Sequence, residues 1–105
     1  LRATRIHRIR AFVEANLADP SLSAAAAAHA LGMSVRSLHL ALAPTGETFG
    51  EFVQRRRLAV CHMLLRRPDN AATIADIAFA CGFNSLSSFY RAFRRAYGAC
   101  PRQAA

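Results

Sequence analysis

Residues 80–98 read ACGFNSLSSFYRAFRRAYG. Taken as a helix over about 86–97, at ~100° per residue, this stretch puts Phe89, Phe93 and Tyr97 on one side. Ser87, Arg91 and Arg95 fall on the opposite side, flanked by Arg94 and Ser88. Asn84-Ser85 supplies a start signal, and Gly98 with Pro101 a stop. A short helix is predicted just before it, over 74–81, capped by Thr73 and turning Ile74, Ile77, Ala78 and Cys81 inward. Gly82 ends that helix. A glycine there lets the chain reverse through a positive φ that costs other residues more. With the aromatic side wedged on helix 74–81, the Ser/Arg side must project.

The same device occurs earlier in the chain. AHALGMSVRSLHLAL (28–42) resembles AFACGFNSLSSFYRAF (78–93). Gly32 matches Gly82, Ser34 matches Ser85, Leu38 matches Phe89 and Leu42 matches Phe93, at offsets of 50 and 51. Ser23 reads as the N-cap of an alanine-rich helix over 24–31, and Ser34 as the cap of a second over 35–42; both residue choices fit known capping and helix preferences. Each half is therefore a short helix, a glycine turn and a second helix: the helix-turn-helix arrangement, whose second helix enters the major groove. Arg36 and Leu40 project from helix 35–42, with His39 and Ala43 at the margin.

Outward from these halves, residues 4–19 carry Ile6, Ile9, Val13 and Leu17 at helical spacing, with Arg5, Arg8 and Arg10 off the stripe. Asp19-Pro20 closes that segment, because the residue before proline is pushed out of the α region. Thr48 to Glu51 fits a capping box and opens the longest helix, 49–66. That helix has apolar patches at Phe49, Phe52, Val53 and at Val60, Met63, Leu64, separated by Arg55-Arg56-Arg57. Apolar surface at both ends suits one element shared by two small cores. No stretch alternates polar and apolar residues as a strand does. The expected class is all-α: a first helix-turn-helix subdomain over 1–47, a linker helix over 48–67 and a second subdomain over 68–105.

The 105 residues carry a net charge of +8, with 14 basic residues, all arginine, against six acidic ones. Such an excess favours a polyanionic partner, nucleic acid or an anionic membrane face. Biased codon usage accounts for arginine over lysine but less well for the scarcity of acids. A solvated face accounts for any single arginine, but less well for the whole repeated arrangement. No apolar run approaches the ~20 residues of a membrane span, and no signal-peptide pattern is present. The chain starts at Leu1, so an excised or trimmed domain is expected. Cys61, Cys81 and Cys100 are odd in number and widely spaced, which argues against a disulfide framework and for reduced, mostly buried cysteines of a cytoplasmic protein. His7, His29, His39 and His62 show no metal-ligand spacing. Neither a catalytic site, a metal nor a cofactor is expected. The competing class is a basic helical module on a membrane, RNA or a protein, suggested by Ile6, Ile9 and Val13 set against the N-terminal arginines.

IADIAFACGFNSLSSFYRAFRRAYGACP (74–101) resembles the signature I-x-x-I-A-x-x-x-G-F-x-S-x-S-x-F-x-R-x-F-x-x-x-x-G-x-x-P of the AraC/XylS family of bacterial transcription regulators. TGETFGEFVQRRRLAVCHMLL (45–65) is similar to the family's linker-helix segment, with Cys61 where alanine is usual. The resemblance covers roughly residues 4–102. It implies seven helices and two helix-turn-helix subdomains whose recognition helices address successive major grooves of double-stranded DNA. It implies base contacts at Arg36, His39, Leu40, Leu86, Ser87, Ser88 and Arg91, and phosphate contacts at Ser34, Arg57, Ser85 and Arg95; the helical wheel adds Arg94. The chain departs from the family at Leu40 and Leu86, where polar residues are common, and at Pro44. The alanine-rich helix is expected to offer a contact to a partner such as RNA polymerase or an N-terminal sensor or dimerisation domain.

Overall fold

The computed structural model describes residues 2–101. Among them are six α-helices and no strand: α1 (Arg2–Asn16), α2 (Ala24–Ala30), α3 (Val35–Leu42), α4 (Phe49–Leu65), α5 (Ile74–Ala80) and α6 (Leu86–Tyr97). A 3-10 turn, Ala43–Thr45, follows α3 and closes on Gly46 at φ +79°. The all-α expectation holds. Residues 102–105, where the sequence allows at most a frayed turn, lie outside the described residues, so the seventh helix is not among those seen.

The chain forms two compact units. The first comprises the residues up to Leu17 with Ser21–Val53; the second comprises Ala18–Pro20 with the residues from Gln54 onward. Helix α4 contributes its first turn to the first unit and its remainder to the second. Its start is the capping box read from sequence: Glu51 N donates to Thr48 Oγ1 at 3.1 Å, and Thr48 N donates to Glu51 Oε1 at 2.9 Å. Two exposed donors are thereby satisfied reciprocally.

In the first unit, Ile9 and Val13 of α1, Ala27 and Ala28 of α2, Leu38, Ala41 and Leu42 of α3, and Phe49, Phe52 and Val53 of α4 are buried together. In the second, Leu58 and Cys61 of α4 meet Ile77, Ala78, Cys81, Phe83, Phe89, Ala92 and Phe93. The stripes read from sequence are these cores, with one correction. Met63 is 57% exposed, not part of an apolar patch; Leu58 and Cys61 hold the inward positions on that part of α4. On α6, Phe89 and Phe93 are fully buried, and Tyr97 lies on their side as read, 4.6 Å from the Phe93 ring centroid, with its partly exposed ring stacked on His62 at 4.6 Å.

Helix α1 ends at Asn16, three residues before the expected stop. Asn16 Nδ2 turns back to Phe12 O at 2.8 Å. Asp19 is not helical; its carbonyl accepts from Arg57 Nη2 at 2.7 Å.

Candidate nucleic-acid interface

The two glycine turns are built from the same bonds. After α2, Gly32 N donates to His29 O (3.2 Å) and Met33 N to Ala28 O (3.0 Å). After α5, Gly82 N donates to Phe79 O (3.1 Å) and Phe83 N to Ala78 O (3.2 Å). These pairs define the Schellman motif, which satisfies the last carbonyls of a helix through a left-handed glycine. Gly32 has φ +68° and Gly82 φ +100°.

Serine caps follow. Ser34 Oγ accepts from Ser37 N at 3.0 Å, and Ser85 Oγ accepts from Ser88 N at 3.2 Å. Each capping hydroxyl also bonds the hydroxyl three residues on, Ser34 to Ser37 and Ser85 to Ser88, both at 3.0 Å. Helix α5 itself starts on a capping box of Thr73 and Asp76. Each second helix is thus fixed at its start by a turn and a cap, and by its apolar face along its length.

On α6 the anchoring face is aromatic. Phe89 packs edge-on against Phe83 (5.2 Å between centroids) and tilted against Phe93 (5.7 Å). The opposite face carries Ser87, Arg91, Arg94 and Arg95, all exposed, with Ser88 half-buried. No acidic residue follows Asp76 in the sequence, so this face has no carboxylate of its own segment to neutralise it. Ser88, Arg91, Ala92 and Arg95 line a surface hollow of about 170 Å³ together with Gln54 of α4. Guanidinium groups on a rigid helix can bond phosphate oxygens or, bidentately, guanine O6 and N7.

On α3, Leu38, Ala41 and Leu42 are buried, while Arg36 and His39 are exposed and Leu40 is 60% exposed. Leu40 lines a hollow of about 350 Å³ with Arg5, Ala41, Ala43 and Pro44.

A family model described as "Helix-turn-helix domain" matches residues 27–105. The chain belongs to the AraC/XylS-type helix-turn-helix family. It is 37% identical over 97 residues to the transcriptional activator RhrA of Rhizobium meliloti, covering 92% of this chain and 31% of that protein. It is 36% identical over 100 residues to the transcriptional activator RhaS of Escherichia fergusonii, covering 94% of this chain and 35% of that protein. The chain therefore spans about a third of the length of these curated relatives. A crystal structure of an AraC-type transcriptional regulator from Chromobacterium violaceum superposes with a TM-score of 0.85 at 26% identity, covering 97% of this chain and 89% of that one.

Within this family member, two candidate residues have other engagements. Leu86 is half-buried and packs on the second core. Arg57, named as a phosphate contact, holds the Asp19 carbonyl; partial burial pushes its pKa down, and Asp19 acts the other way. Gln54 and Arg5 were missed. Both sit on helices outside the helix-turn-helix pairs, so no motif marks them; only the fold brings them beside α6 and α3.

The two buried cysteines are partners. A hydrogen bond from the Cys61 thiol to Cys81, with burial, pushes the Cys61 pKa up, while the same bond and Arg57 lower that of Cys81. Cys61 Sγ also lies 3.9 Å from Ile77 O. These thiols tie α4 to α5 inside the core. Among the described residues no group of three or more His, Cys, Asp or Glu side chains could hold a metal ion. No described helix is long and apolar enough to cross a membrane.

Proposed function

We propose that this chain binds double-stranded DNA sequence-specifically as the DNA-binding part of a bacterial transcription regulator. The observation that carries the reading is the exposed Ser87/Arg91/Arg94/Arg95 face of α6, held out by buried Phe89 and Phe93. In this reading α3 and α6 enter successive major grooves. Residues 1–47 and 68–105 act as the two reading subdomains and 48–67 as the helix between them.

Arg91, Ser87 and Ser88 read bases from α6; Leu86 contributes only the exposed part of its side chain. Arg36, His39 and Leu40 face the groove from α3, Leu40 toward a thymine methyl. Ser34, Ser85, Arg94 and Arg95 contact phosphates. The two serines fit this role because a helix N-terminus presents backbone donors to an anion. Arg57 clamps the Asp19 carbonyl and, as a phosphate contact, would use another of its five guanidinium donors. RNA polymerase and an N-terminal sensing or dimerisation domain complete the proposal. Two relatives are named activators, and the match covers only 31% and 35% of them. Work on a chromosome places the protein in the cytoplasm, at the nucleoid.

Selection from random duplex DNA tests this. The expected result is an enriched site with two short motifs about one helical turn apart. With roughly 6–8 phosphate contacts, log K is expected to fall with log salt at a slope of about −5 to −7. Binding to anionic liposomes or RNA with no preference for any duplex would replace the proposal with the membrane or RNA reading.

A further inference from the structure

We infer that Arg5 of α1 is a DNA-backbone contact of the first unit, lying beside Leu40 and supplying the positive charge that α3 lacks at that place. This rests on the DNA-binding reading above. The repeat sets the comparison. Leu40 and Arg91 stand at an offset of 51, the offset of the capping serines Ser34 and Ser85. They are equivalent positions of the two second helices.

In each unit, the residue at this position lines a hollow with one residue from the helix that precedes the helix-turn-helix pair. In the second unit the helix residue is Arg91 and its neighbour is Gln54 of α4. In the first the helix residue is Leu40 and its neighbour is Arg5 of α1. The cation and the neutral side chain have changed places. The charge at this spot is present in both units, but it is delivered from different helices.

The other first-unit arginine that reaches across to a neighbouring element is already used: Arg8 Nη2 donates to Leu31 O at 2.9 Å. Arg5 is exposed and has no hydrogen-bond or ion-pair partner among the described residues. Its methylene stem can lie along the apolar wall formed by Leu40, Ala43 and Pro44 while the guanidinium stays in water, as long cationic side chains do on apolar surface. The assignment is to phosphate rather than to a base because Arg5 springs from α1, to the side of α3. Arg36 and His39 already occupy the outward positions of α3 itself.

The test compares Arg5→Ala with Arg10→Ala, using the full chain and the duplex enriched by selection. Arg10 is exposed on the same helix but lies about 140° around it from Arg5, so it controls for loss of one charge. Arg5→Ala is expected to lower the magnitude of the salt slope by about 0.9 and to weaken every duplex about fivefold near ~0.15 M salt, the release of one counterion. Arg5→Lys is expected to keep the slope. Adding Leu40→Arg to Arg5→Ala is expected to restore it. Melting curves should be unchanged, since Arg5 is exposed. Equal slopes for Arg5→Ala, Arg10→Ala and wild type would overturn the assignment, as would a changed base preference in Arg5→Ala. Failure of the wild-type chain to bind any duplex would overturn the underlying reading instead.

Discussion

Gly32→Ala isolates the energy stored in one turn. Gly32 adopts φ +68°, and a Cβ placed there would meet no atom within 4 Å. No steric clash with neighbours therefore enters; only the left-handed backbone of an L-residue does, at roughly 1–2 kcal/mol. Against this, alanine restricts the unfolded chain and returns about 0.4–1 kcal/mol. The net expectation is a loss of about 0.8 kcal/mol, which corresponds to a fall in melting temperature of roughly 3–6 °C for a domain of this size. Asparagine, which tolerates this region better, is expected to lose less. A D-alanine, introduced by ligation at Cys61, should stabilise, because its preferred φ is positive. The assay is thermal and urea unfolding followed by circular dichroism. An L-alanine variant as stable as wild type would refute the claim that this turn is held by glycine's conformational freedom. So would a D-alanine variant less stable than the L-form.

Other outcomes follow from the same geometry. Arg91→Ala should cost about 1–3 kcal/mol of binding and relax preference at one base position, whereas Arg95→Ala should weaken all duplexes alike and flatten the salt slope; selection and salt titration on each variant decide. Phe93→Ala removes a ring that is fully buried and should cost about 3–5 kcal/mol, enough to unfold the second unit, seen as loss of dispersed methyl and aromatic resonances; melting within a degree or two of wild type would contradict the packing. Thiol titration of the native chain should find Cys100 reacting first, since Cys61 and Cys81 are buried, with all three reacting only after denaturant.

The elements were legible wherever a local signal acted alone. Ser23, Ser34, Thr73 and Ser85 cap the helices they precede, because capping is decided within a few residues of sequence. The inward faces of α5 and α6 were legible because Ile74, Ile77 and Ala78, and Phe89 and Phe93, recur at helical spacing, even though Phe79 and Tyr90 stand exposed on the other sides. Helix α4 was not: with apolar residues at both ends, Met63 was as plausible a core residue as Leu58, and only packing against α5 and α6 separates them. The bond from Arg57 to Asp19 spans 38 residues, and no periodicity reports a contact of that separation. Gln54 and Arg5 escaped for the same reason.

The two glycine-hinged halves share a backbone device but differ in the surface it presents, and the difference is one of length and anchoring. Helix α6 has 12 residues and α3 has eight, about 18 Å against about 12 Å of axis. The turn before α6 is one residue longer, Gly82-Phe83-Asn84-Ser85 against Gly32-Met33-Ser34. Phe83 is buried within the second core, whereas Met33 is only partly buried at the edge of the first. Helix α3 runs out into Ala43-Pro44-Thr45, so beyond Val35 at its start and half-buried Ser37, which stands where α6 has Ser88, only Arg36, His39 and Leu40 are exposed candidates on it. One guanidinium, one imidazole and one apolar side chain give few directional bonds to a base edge, while α6 spreads three guanidiniums and two serines over three turns. A site enriched from random duplexes should therefore be lopsided, with several strongly constrained positions under α6 and few under α3. Equal constraint in both halves would mean that α3 reads more through Leu40 and its neighbours than their chemistry allows, and the division of labour between the halves would have to be redrawn.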